Sequence, residues 1–376
     1  MKARAIPGYI LCAGLFCASA LWSQAAGTRV LPAQIDAIFA PLKSDNAPGA
    51  AVLVISKGDV VFQHGHGVAD LRTRHPIDSR TDFRLASLTK QFTATCIMLL
   101  VHDGKLHYDD RLTDIFPEFP AYGRQITVRH LLNHTSGLPD YEDILTAEYP
   151  NTRDDQIPQI HDSGVLKLLE QQKAAKFPAG ARWEYSNSGY AVLAMIVEKI
   201  SGKPFGQFLQ ERIFAPLKMN GTLAYEKGKN EVPNRAFGHT RENGGWRETD
   251  QSSTSAVLGD GGIYSSVDDL AKWDRALREH LPLSEVEMRP ALVPAQPVQS
   301  TTTKYGFGWF LDPYKGHTRM WHYGETVGFR TAIERFPDEK LTVIVLSNRA
   351  ETDAGSLALK VADLFLGIKA AEPPPH

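Results

Sequence analysis

Hydrophobic positions form strand-like patterns near both ends of this chain of 376 residues and helix-like patterns between them. Alternating or continuous apolar runs of strand length lie at 50–56, 60–63, 307–311, 329–336 and 341–346. Turn residues at 57–59 (Lys-Gly-Asp) and 337–340 (Pro-Asp-Glu-Lys) predict tight connections within each group. The pattern therefore predicts one antiparallel sheet built from strands of both termini.

Apolar residues with a helical period occupy much of the remaining chain. The predicted helices lie at 32–43, 87–100, 128–132, 165–172, 190–200, 205–213 and 354–366. Strands at both ends with helices between them indicate an α/β (α+β) fold, in which the terminal helices flank an antiparallel sheet and a mostly helical region is inserted. The predicted divisions are 27–84 plus 256–370 for a discontinuous α/β domain, 85–255 for the inserted helical region and 371–376 for a tail.

The N-terminus has the pattern of an export signal. Lys2 and Arg4 supply a positive start, and residues 8–20 are apolar but too short to span a bilayer comfortably. Small residues between Ala20 and Ala26 allow cleavage, so we expect a signal peptide over 1–26 and a periplasmic or secreted protein. An uncleaved membrane anchor is the alternative.

Composition excludes several classes of partner. Lys and Arg number 41 against 43 Asp and Glu, without a long basic run, which argues against nucleic acid or an anionic membrane surface. Two of the three cysteines lie in the predicted signal peptide, so Cys96 is alone in the mature chain and no intramolecular disulfide is possible there. A chain of this length buries a large core without one.

Ser87-Leu88-Thr89-Lys90 places a hydroxyl and an amine three residues apart at the start of a predicted helix. Residues with this spacing share a helix face, so the Lys90 amine can reach the Ser87 oxygen. A serine is a weak nucleophile until a neighbouring base takes its proton, which makes the pair a candidate for acyl transfer. The same pattern also fits an exposed helix start, with Ser87 near the N-cap and Lys90 in water.

Two later segments favour catalysis. They are Tyr185-Ser186-Asn187 and His322-Tyr323-Gly324, which follow Ser87-x-x-Lys90 in the order S-x-x-K, Y-x-N, H-x-G. With these motifs the chain resembles the serine β-lactamase and penicillin-binding protein superfamily, in particular its class C β-lactamase, DD-peptidase and esterase branch. Segments 126–138 and 256–266 are similar to the same family, and the resemblance spans about residues 35–365.

The resemblance implies a role for each motif residue. Ser87 attacks a carbonyl carbon, and Tyr185 and Lys90 share the base role, with the proton acceptor left open. Asn187 holds Lys90 and contacts the substrate amide. The backbone N–H groups of Ser87 and Glu325 form an oxyanion hole. Gly324 allows the backbone to approach the substrate closely. The implied fold is that of β-lactamases and transpeptidases, with the active site in the groove between the two regions.

His322 departs from the lactamase pattern, which has a lysine at this position. A histidine is mostly neutral at neutral pH, so it supplies no permanent cation for a substrate carboxylate. It can still hydrogen-bond the Tyr185 hydroxyl or the substrate. This difference favours esterase or peptidase members over efficient β-lactamases. Arg349 is a candidate replacement cation, although a solvated arginine at a strand end is the more common case.

Other candidate sites are weaker. His64-Gly65-His66 places two imidazoles on one face of a strand, but no cluster with a third ligand follows, so we interpret them as ordinary strand histidines and predict neither metal nor cofactor. His134-Thr135-Ser136-Gly137 is interpreted as a structural loop. Residues 259–262 (Gly-Asp-Gly-Gly) lack the context of a nucleotide-binding loop and allow tight packing beside the site.

Together these observations predict an exported serine hydrolase that forms an acyl-enzyme on an ester or a D-amino-acid peptide or amide. Its partner is a small-molecule or peptide substrate, without nucleic acid or, in the mature form, membrane. A class C-like β-lactamase and a penicillin-binding sensor or scaffold that stays acylated are the alternatives. A catalytically silent member with an interaction role is a third.

Overall fold

The computed structural model describes residue 1, residues 30–299 and residues 304–368. Apart from Met1, the predicted signal peptide lies outside the described residues up to residue 26, as does the predicted tail 371–376. In the described part, no helix is long and apolar enough to cross a bilayer.

Strands and helices follow one another in the expected sequence of β-rich ends and a helical centre. The strands are β1 (Ala50–Ser56), β2 (Asp59–His66), β3 (Val68–Asp70), β4 (His75–Pro76), β5 (Phe83–Arg84), β6 (Leu223–Ala224), β7 (His239–Glu242), β8 (Gly245–Glu248), β9 (Ile263–Ser265), β10 (Met320–Thr326), β11 (Phe329–Phe336) and β12 (Leu341–Ser347). The α-helices are α1 (Pro32–Ile38), α2 (Thr89–His102), α3 (Leu112–Ile115), α4 (Val128–Leu132), α5 (Tyr141–Glu148), α6 (Asp162–Glu170), α7 (Asn187–Ser201), α8 (Phe205–Leu209), α9 (Leu258–Gly261), α10 (Val267–Arg278), α11 (Glu285–Met288) and α12 (Ala354–Leu366). Short 3-10 turns lie at Ala40–Leu42, Ala86–Leu88, Ala121–Gln125, Asp154–Gln156 and Arg289–Leu292, and a π-turn at Gln210–Phe214.

The main sheet joins strands from both ends of the chain. In the described residues its order is β10-β11-β12-β1-β2, with every neighbouring pair antiparallel. The predicted α/β fold with an antiparallel sheet of N- and C-terminal strands is therefore confirmed. A smaller sheet in the order β5-β9-β6 connects this part to the helical region. The predicted domain boundaries stay a prediction.

The edge strand β10 was not predicted, and the predicted strand at 307–311 was wrong. Residues near 307–311 make only isolated bridges, Tyr305 with Phe310 and Phe310 with Trp321. In β10, burial does alternate, but Met320, His322 and Gly324 occupy the buried positions. A hydrophobicity pattern does not score histidine and glycine as core residues, so this alternation was missed. The amphipathic helix α10 was also missed.

Each face of the sheet packs against a separate core. Along β1, Ala50, Val52 and Val54 belong to a core that includes α1 and α12. The alternate residues Leu53 and Ile55 belong to the larger core of the helical region. Because both faces are covered, β1 is a continuous apolar run rather than an alternating one.

The central helix α2 is buried over most of its length, from Thr89 to Leu100. It contacts α7 and α9, so its apolar residues are distributed all round its axis. The 3-10 turn that leads into α2 carries Ser87, and Lys90 lies in the first turn of the helix. The fold thus places the predicted nucleophile on a rigid, fully packed element.

Candidate active site

Ser87 lies in a tight turn at the N-terminal end of α2. The preceding residue, Ala86, has φ +49°, a left-handed conformation that is unusual for a residue with a side chain. Ser87 itself is half-buried at the edge of a small cleft. Because helix N-termini present free N–H groups and a partial positive charge, the Ser87 backbone is suited to bind a developing negative charge.

Lys90 is fully buried, with 0% of its surface exposed, and its amine makes three hydrogen bonds. Nζ lies 3.0 Å from Ser87 Oγ, 2.8 Å from Asn187 Oδ1 and 3.0 Å from the backbone oxygen of Asp260. The Asn187 and Asp260 oxygens can only accept, so each takes one N–H group of Lys90. The remaining bonding direction of Nζ then faces Ser87. The structure therefore excludes the solvated lysine of the alternative interpretation.

Asn187 is the first residue of α7, and its position is fixed from two sides. Its backbone N–H donates to Asp140 Oδ2 at 2.7 Å, while its side-chain oxygen accepts from Lys90. This helix start brings the second motif to the first, as the resemblance implies.

Tyr185 packs with its ring face toward Lys90, whose Nζ is 5.0 Å from the ring centroid. Among the described residues, the Tyr185 hydroxyl has no hydrogen-bond partner. The His134 ring packs against the Tyr185 ring at a centroid distance of 4.3 Å, and His134 Nδ1 accepts a hydrogen bond from the Ser186 N–H at 3.2 Å. The structural role of His134 is therefore to fix the segment that carries Tyr185.

His322 lies behind the cleft rather than in it, with 2% of its surface exposed. Its Nδ1 is 2.7 Å from the Tyr323 backbone oxygen, which can only accept, so Nδ1 carries the proton. Nε2 then accepts from the Tyr305 hydroxyl at 3.0 Å. Burial, together with the nearby Lys90, lowers the pKa of His322 to about 3, so the ring is neutral. The hydrogen bond to Tyr185 or the substrate that the sequence allows for His322 is not formed, because both nitrogens already bond Tyr305 and Tyr323 O.

Gly324 brings β10 against the turn that carries Ser87. A Cβ at this position would lie 2.2 Å from both the Leu85 backbone oxygen and Thr331 Oγ1. Thr331 Oγ1 in turn donates to Leu85 O at 2.7 Å. A side chain at residue 324 would therefore separate the strand from the nucleophile turn.

Glu325 follows on the outer edge of β10, away from β11. Trp321 exchanges two backbone hydrogen bonds with Phe310 on that outer side, at 2.9 and 3.0 Å. Backbone groups four residues apart on a strand face the same way, so the N–H of Glu325 also faces outward. Ser87 and Glu325 line the same cleft, which suits their N–H groups to an oxyanion hole.

Asp162 supports the site and was not identified from the sequence. Asp162 accepts from the N–H groups of Leu258 and Gly259 at 2.8 and 2.9 Å, which anchors the short helix α9 whose Asp260 oxygen holds Lys90. The tight packing expected at 259–262 fits this role, since a Cβ on Gly259 would lie 2.3 Å from Tyr190 O. Nothing in the sequence links Asp162 to α9, because their contact is tertiary.

The solvent-facing charges of the cleft are negative. Its charged lining residues are Arg84, Glu142, Asp260 and Glu325. Arg84 is buried, and its guanidinium donates hydrogen bonds to Ser255 and to Gly261 O. Glu142 is exposed, and the Glu325 side chain is 75% exposed with Arg330 2.9 Å away.

Arg349 does not line this cleft, because it stacks on Trp246 at 4.7 Å from the ring centroid. A larger cavity of about 580 Å³, lined by residues such as Arg129 and Pro290, includes neither Ser87 nor Lys90. The chemistry therefore locates the site better than cavity size does.

Comparisons with known proteins agree with this geometry. The family model described as Beta-lactamase matches residues 35–365. Penicillin-binding protein 4* of Bacillus subtilis (strain 168) is 32% identical over 346 residues, covering 88% of this chain and 75% of that protein. A D-aminopeptidase of Brucella canis is 29% identical over 332 residues, and the match covers 87% of this chain but 61% of that protein.

A solved structure gives the same result in three dimensions. The D-amino acid amidase from Ochrobactrum anthropi SV3, solved in complex with L-phenylalanine amide, superposes with a TM-score of 0.73 at 26% identity. The match covers 89% of this chain and 97% of that one, so the similarity includes both the sheet and the helical region.

Proposed function

Because the chain belongs to the beta-lactamase family and is a serine hydrolase, we propose that it hydrolyses D-amino-acid amides, peptides or esters that carry a free ammonium group. The observation that carries the proposal is the fixed contact of Lys90 Nζ with Ser87 Oγ beside an acidic cleft. The D-aminopeptidase and D-amino acid amidase among its similar proteins support the choice of substrate class.

Ser87 Oγ attacks the substrate carbonyl carbon and its proton passes to Lys90. Lys90 can accept this proton in its amine form, in which two N–H groups donate to Asn187 Oδ1 and Asp260 O and the lone pair faces Ser87. The tetrahedral oxyanion receives hydrogen bonds from the N–H groups of Ser87 and Glu325. The C–N or C–O bond then breaks, the leaving group takes the proton, and water later hydrolyses the acyl-enzyme by the same route.

Tyr185 lies beside this proton path. Its ring is in contact with Lys90, and its hydroxyl is free of protein partners among the described residues. The hydroxyl is therefore available to the leaving group, to which it relays the proton from Lys90.

Charge in the cleft determines which substrates are favoured. Glu142 and Glu325 are the solvent-facing charged residues near Ser87, and both are acidic. Surrounding protein, together with the Asp260 and Asp140 carboxylates, raises the pKa of Glu142 to about 7, although its side chain is open to solvent. Above that pH it attracts an ammonium and repels a carboxylate.

The same charges argue against a β-lactamase. A lactam carboxylate needs a free cation near the third motif, but His322 is neutral and buried, Arg349 lies elsewhere and Arg330 is paired with Glu325. Arg84, the basic residue of the cleft lining, is already hydrogen-bonded. We therefore place cephalosporins below D-amino-acid amides as substrates.

A substrate panel tests the proposal. The purified protein is assayed with D-phenylalanine amide, its N-acetyl derivative, the L-enantiomer and a chromogenic cephalosporin. We expect kcat/KM for the free-amine D-amide to exceed that of the N-acetyl derivative at least about tenfold. Equal or faster turnover of the N-acetyl compound, of the L-amide or of the cephalosporin contradicts the proposed specificity.

Glu142→Gln tests the role of charge in the same panel. The variant should raise KM for the free-amine substrate a few-fold, about the effect of one exposed ion pair worth up to ~1 kcal/mol. It should leave the N-acetyl substrate unchanged. Glu211→Gln, on the surface outside the cleft, is the matched control, and a loss common to both substrates would contradict an electrostatic role.

Export is also part of the proposal, supported by Lys2, Arg4 and the apolar residues 8–20. The test expresses the full chain, separates the cell fractions and determines the N-terminus of the product. We expect cleavage between residues 20 and 26 and recovery outside the cytoplasm. An intact N-terminus in a cytoplasmic product would contradict export.

A further inference from the structure

The two histidines of β2 have a third potential metal ligand, which the sequence interpretation missed. That interpretation looked for another ligand after His66, whereas the structure supplies Asp36 from the preceding helix α1. One carboxylate oxygen of Asp36 and one nitrogen each of His64 and His66 all lie within 4.8 Å of one another. Helix α1 and strand β2 are thus joined by a group of two imidazoles and one carboxylate.

The geometry of this group points to a ligand. His64 Nδ1 is 2.6 Å from Asp36 Oδ1, and His66 Nε2 is 3.7 Å from the same oxygen. In a tetrahedral zinc site with bonds of about 2.0–2.1 Å, neighbouring ligand atoms lie about 3.3 Å apart. The two separations from Asp36 Oδ1 bracket this value, and the nitrogens of His64 and His66 lie within 4.8 Å of each other.

His66 is the second, independent observation. Its side chain is 2% exposed, and Nε2 is buried without a hydrogen-bond partner among the described residues, although it points toward Asp36. Phe39 stacks on the ring at a centroid distance of 5.3 Å and an interplanar angle of 4°, which fixes the direction of Nε2. A buried nitrogen without a partner is costly, and a bound ion removes that cost.

We propose that Asp36, His64 and His66 bind one divalent transition-metal ion, with zinc as the best match to two imidazoles and a carboxylate. His64 and Asp36 are 45% and 39% exposed, so solvent fills the fourth coordination position. On binding, the proton of the hydrogen bond between His64 Nδ1 and Asp36 leaves Nδ1, and the neutral imidazole takes up a proton at its exposed Nε2 from solvent.

The site is structural rather than catalytic. Strand β2 is one edge of the main sheet and β10 is the other, so the two edges are about 19 Å apart across four strand spacings. His66 lies opposite Ala50, which belongs to the core on the α1 side of the sheet. The ion would join α1 to the edge strand and would not affect the chemistry at Ser87.

Metal titration of the untagged full chain tests the proposal. The protein is stripped with chelator and titrated with Zn²⁺ by calorimetry, and with Co²⁺ followed by its visible absorption. Asp36→Asn and His64→Gln alter exposed side chains and so preserve the fold. His107→Gln is the matched control, because His107 also faces a carboxylate, Asp110 at 3.7 Å.

We expect one Zn²⁺ per chain, a rise in Tm with Zn²⁺, and unchanged hydrolase activity. Asp36→Asn and His64→Gln should each weaken binding at least about tenfold, because even the outer partners of metal ligands have that effect. His107→Gln should bind like the unaltered chain. Absence of binding, or binding of unchanged affinity in either Asp36→Asn or His64→Gln, overturns the proposal.

Discussion

Lys90 Nζ lies 3.0 Å from Ser87 Oγ, and Lys90 is completely enclosed by protein. A buried amine held against a serine hydroxyl is the arrangement that the proposed acyl transfer on Ser87 requires. We expect Ser87→Ala to lower kcat at least about 10³-fold, as removal of a serine nucleophile does in other enzymes.

Labelling with an active-site serine probe, together with circular dichroism, checks this prediction. The variant should lose labelling and keep its fold. Ser201→Ala, at the far end of α7, is the control and should label normally. Labelling that survives in Ser87→Ala would falsify the assignment of the nucleophile.

Asn187→Ala removes one of the two acceptors that orient Lys90. Because the amine then loses its fixed direction toward Ser87, we expect kcat to fall about a hundredfold with a smaller change in KM. Steady-state kinetics with a D-amino-acid amide measure both constants. The exposed Asn46→Ala is the control, and a change confined to KM would assign Asn187 to binding alone.

Gly324→Ala should separate β10 from the nucleophile turn. The new methyl group would lie 2.2 Å from Leu85 O and from Thr331 Oγ1, so either the strand or the turn must move. We expect a loss of about 1–3 kcal/mol in stability and a clear fall in kcat, since the oxyanion N–H of Glu325 moves with the strand.

Thermal unfolding and kinetics measure the two effects of Gly324→Ala. Gly245→Ala is the control, because its nearest neighbour lies 3.7 Å from the added Cβ. Full activity and an unchanged Tm in Gly324→Ala would contradict the close approach.

His322 should make stability depend on pH in the acidic range. Its folded-state pKa is lowered to about 3 by burial and by Lys90, against 6.5 as the ordinary value. Between these values the unfolded chain binds the proton and the folded chain does not, so the stability contributed by neutral His322 is complete above pH 6.5. It is lost as the pH falls toward 3, by up to about 1.4 kcal/mol per pH unit.

His322→Gln tests this dependence, since glutamine can bond Tyr305 and Tyr323 O but does not titrate. Denaturant unfolding at pH 7, 6 and 5 compares the two proteins. The unaltered chain should lose stability relative to His322→Gln as the pH falls, while the exposed His107→Gln should follow the unaltered chain. A constant difference across this range would mean that His322 is not buried as a neutral ring.

The contact between Ser87 and Lys90 was predictable from the sequence because it is local, whereas the other motif residues were assigned through the family resemblance. Ser87 and Lys90 are three residues apart at a helix start, so their contact follows from helix geometry alone. The apolar runs at 50–56 and 329–336 likewise predicted β1 and β11, because strands buried in a sheet consist largely of hydrophobic residues. β10 was missed because histidine and glycine occupy its buried positions.

The sequence by itself thus predicted the contact of Ser87 with Lys90 and the strand segments of the main sheet, since each is recorded in residues near one another in the chain. Only the tertiary structure decided the position of His322 behind the cleft, the support of Lys90 by Asp260, and the meeting of Asp36 with His64 and His66. Those contacts join segments separated by up to 170 residues in this set. Which residues meet in these contacts depends on how whole helices and strands pack, and a local sequence pattern does not predict that packing.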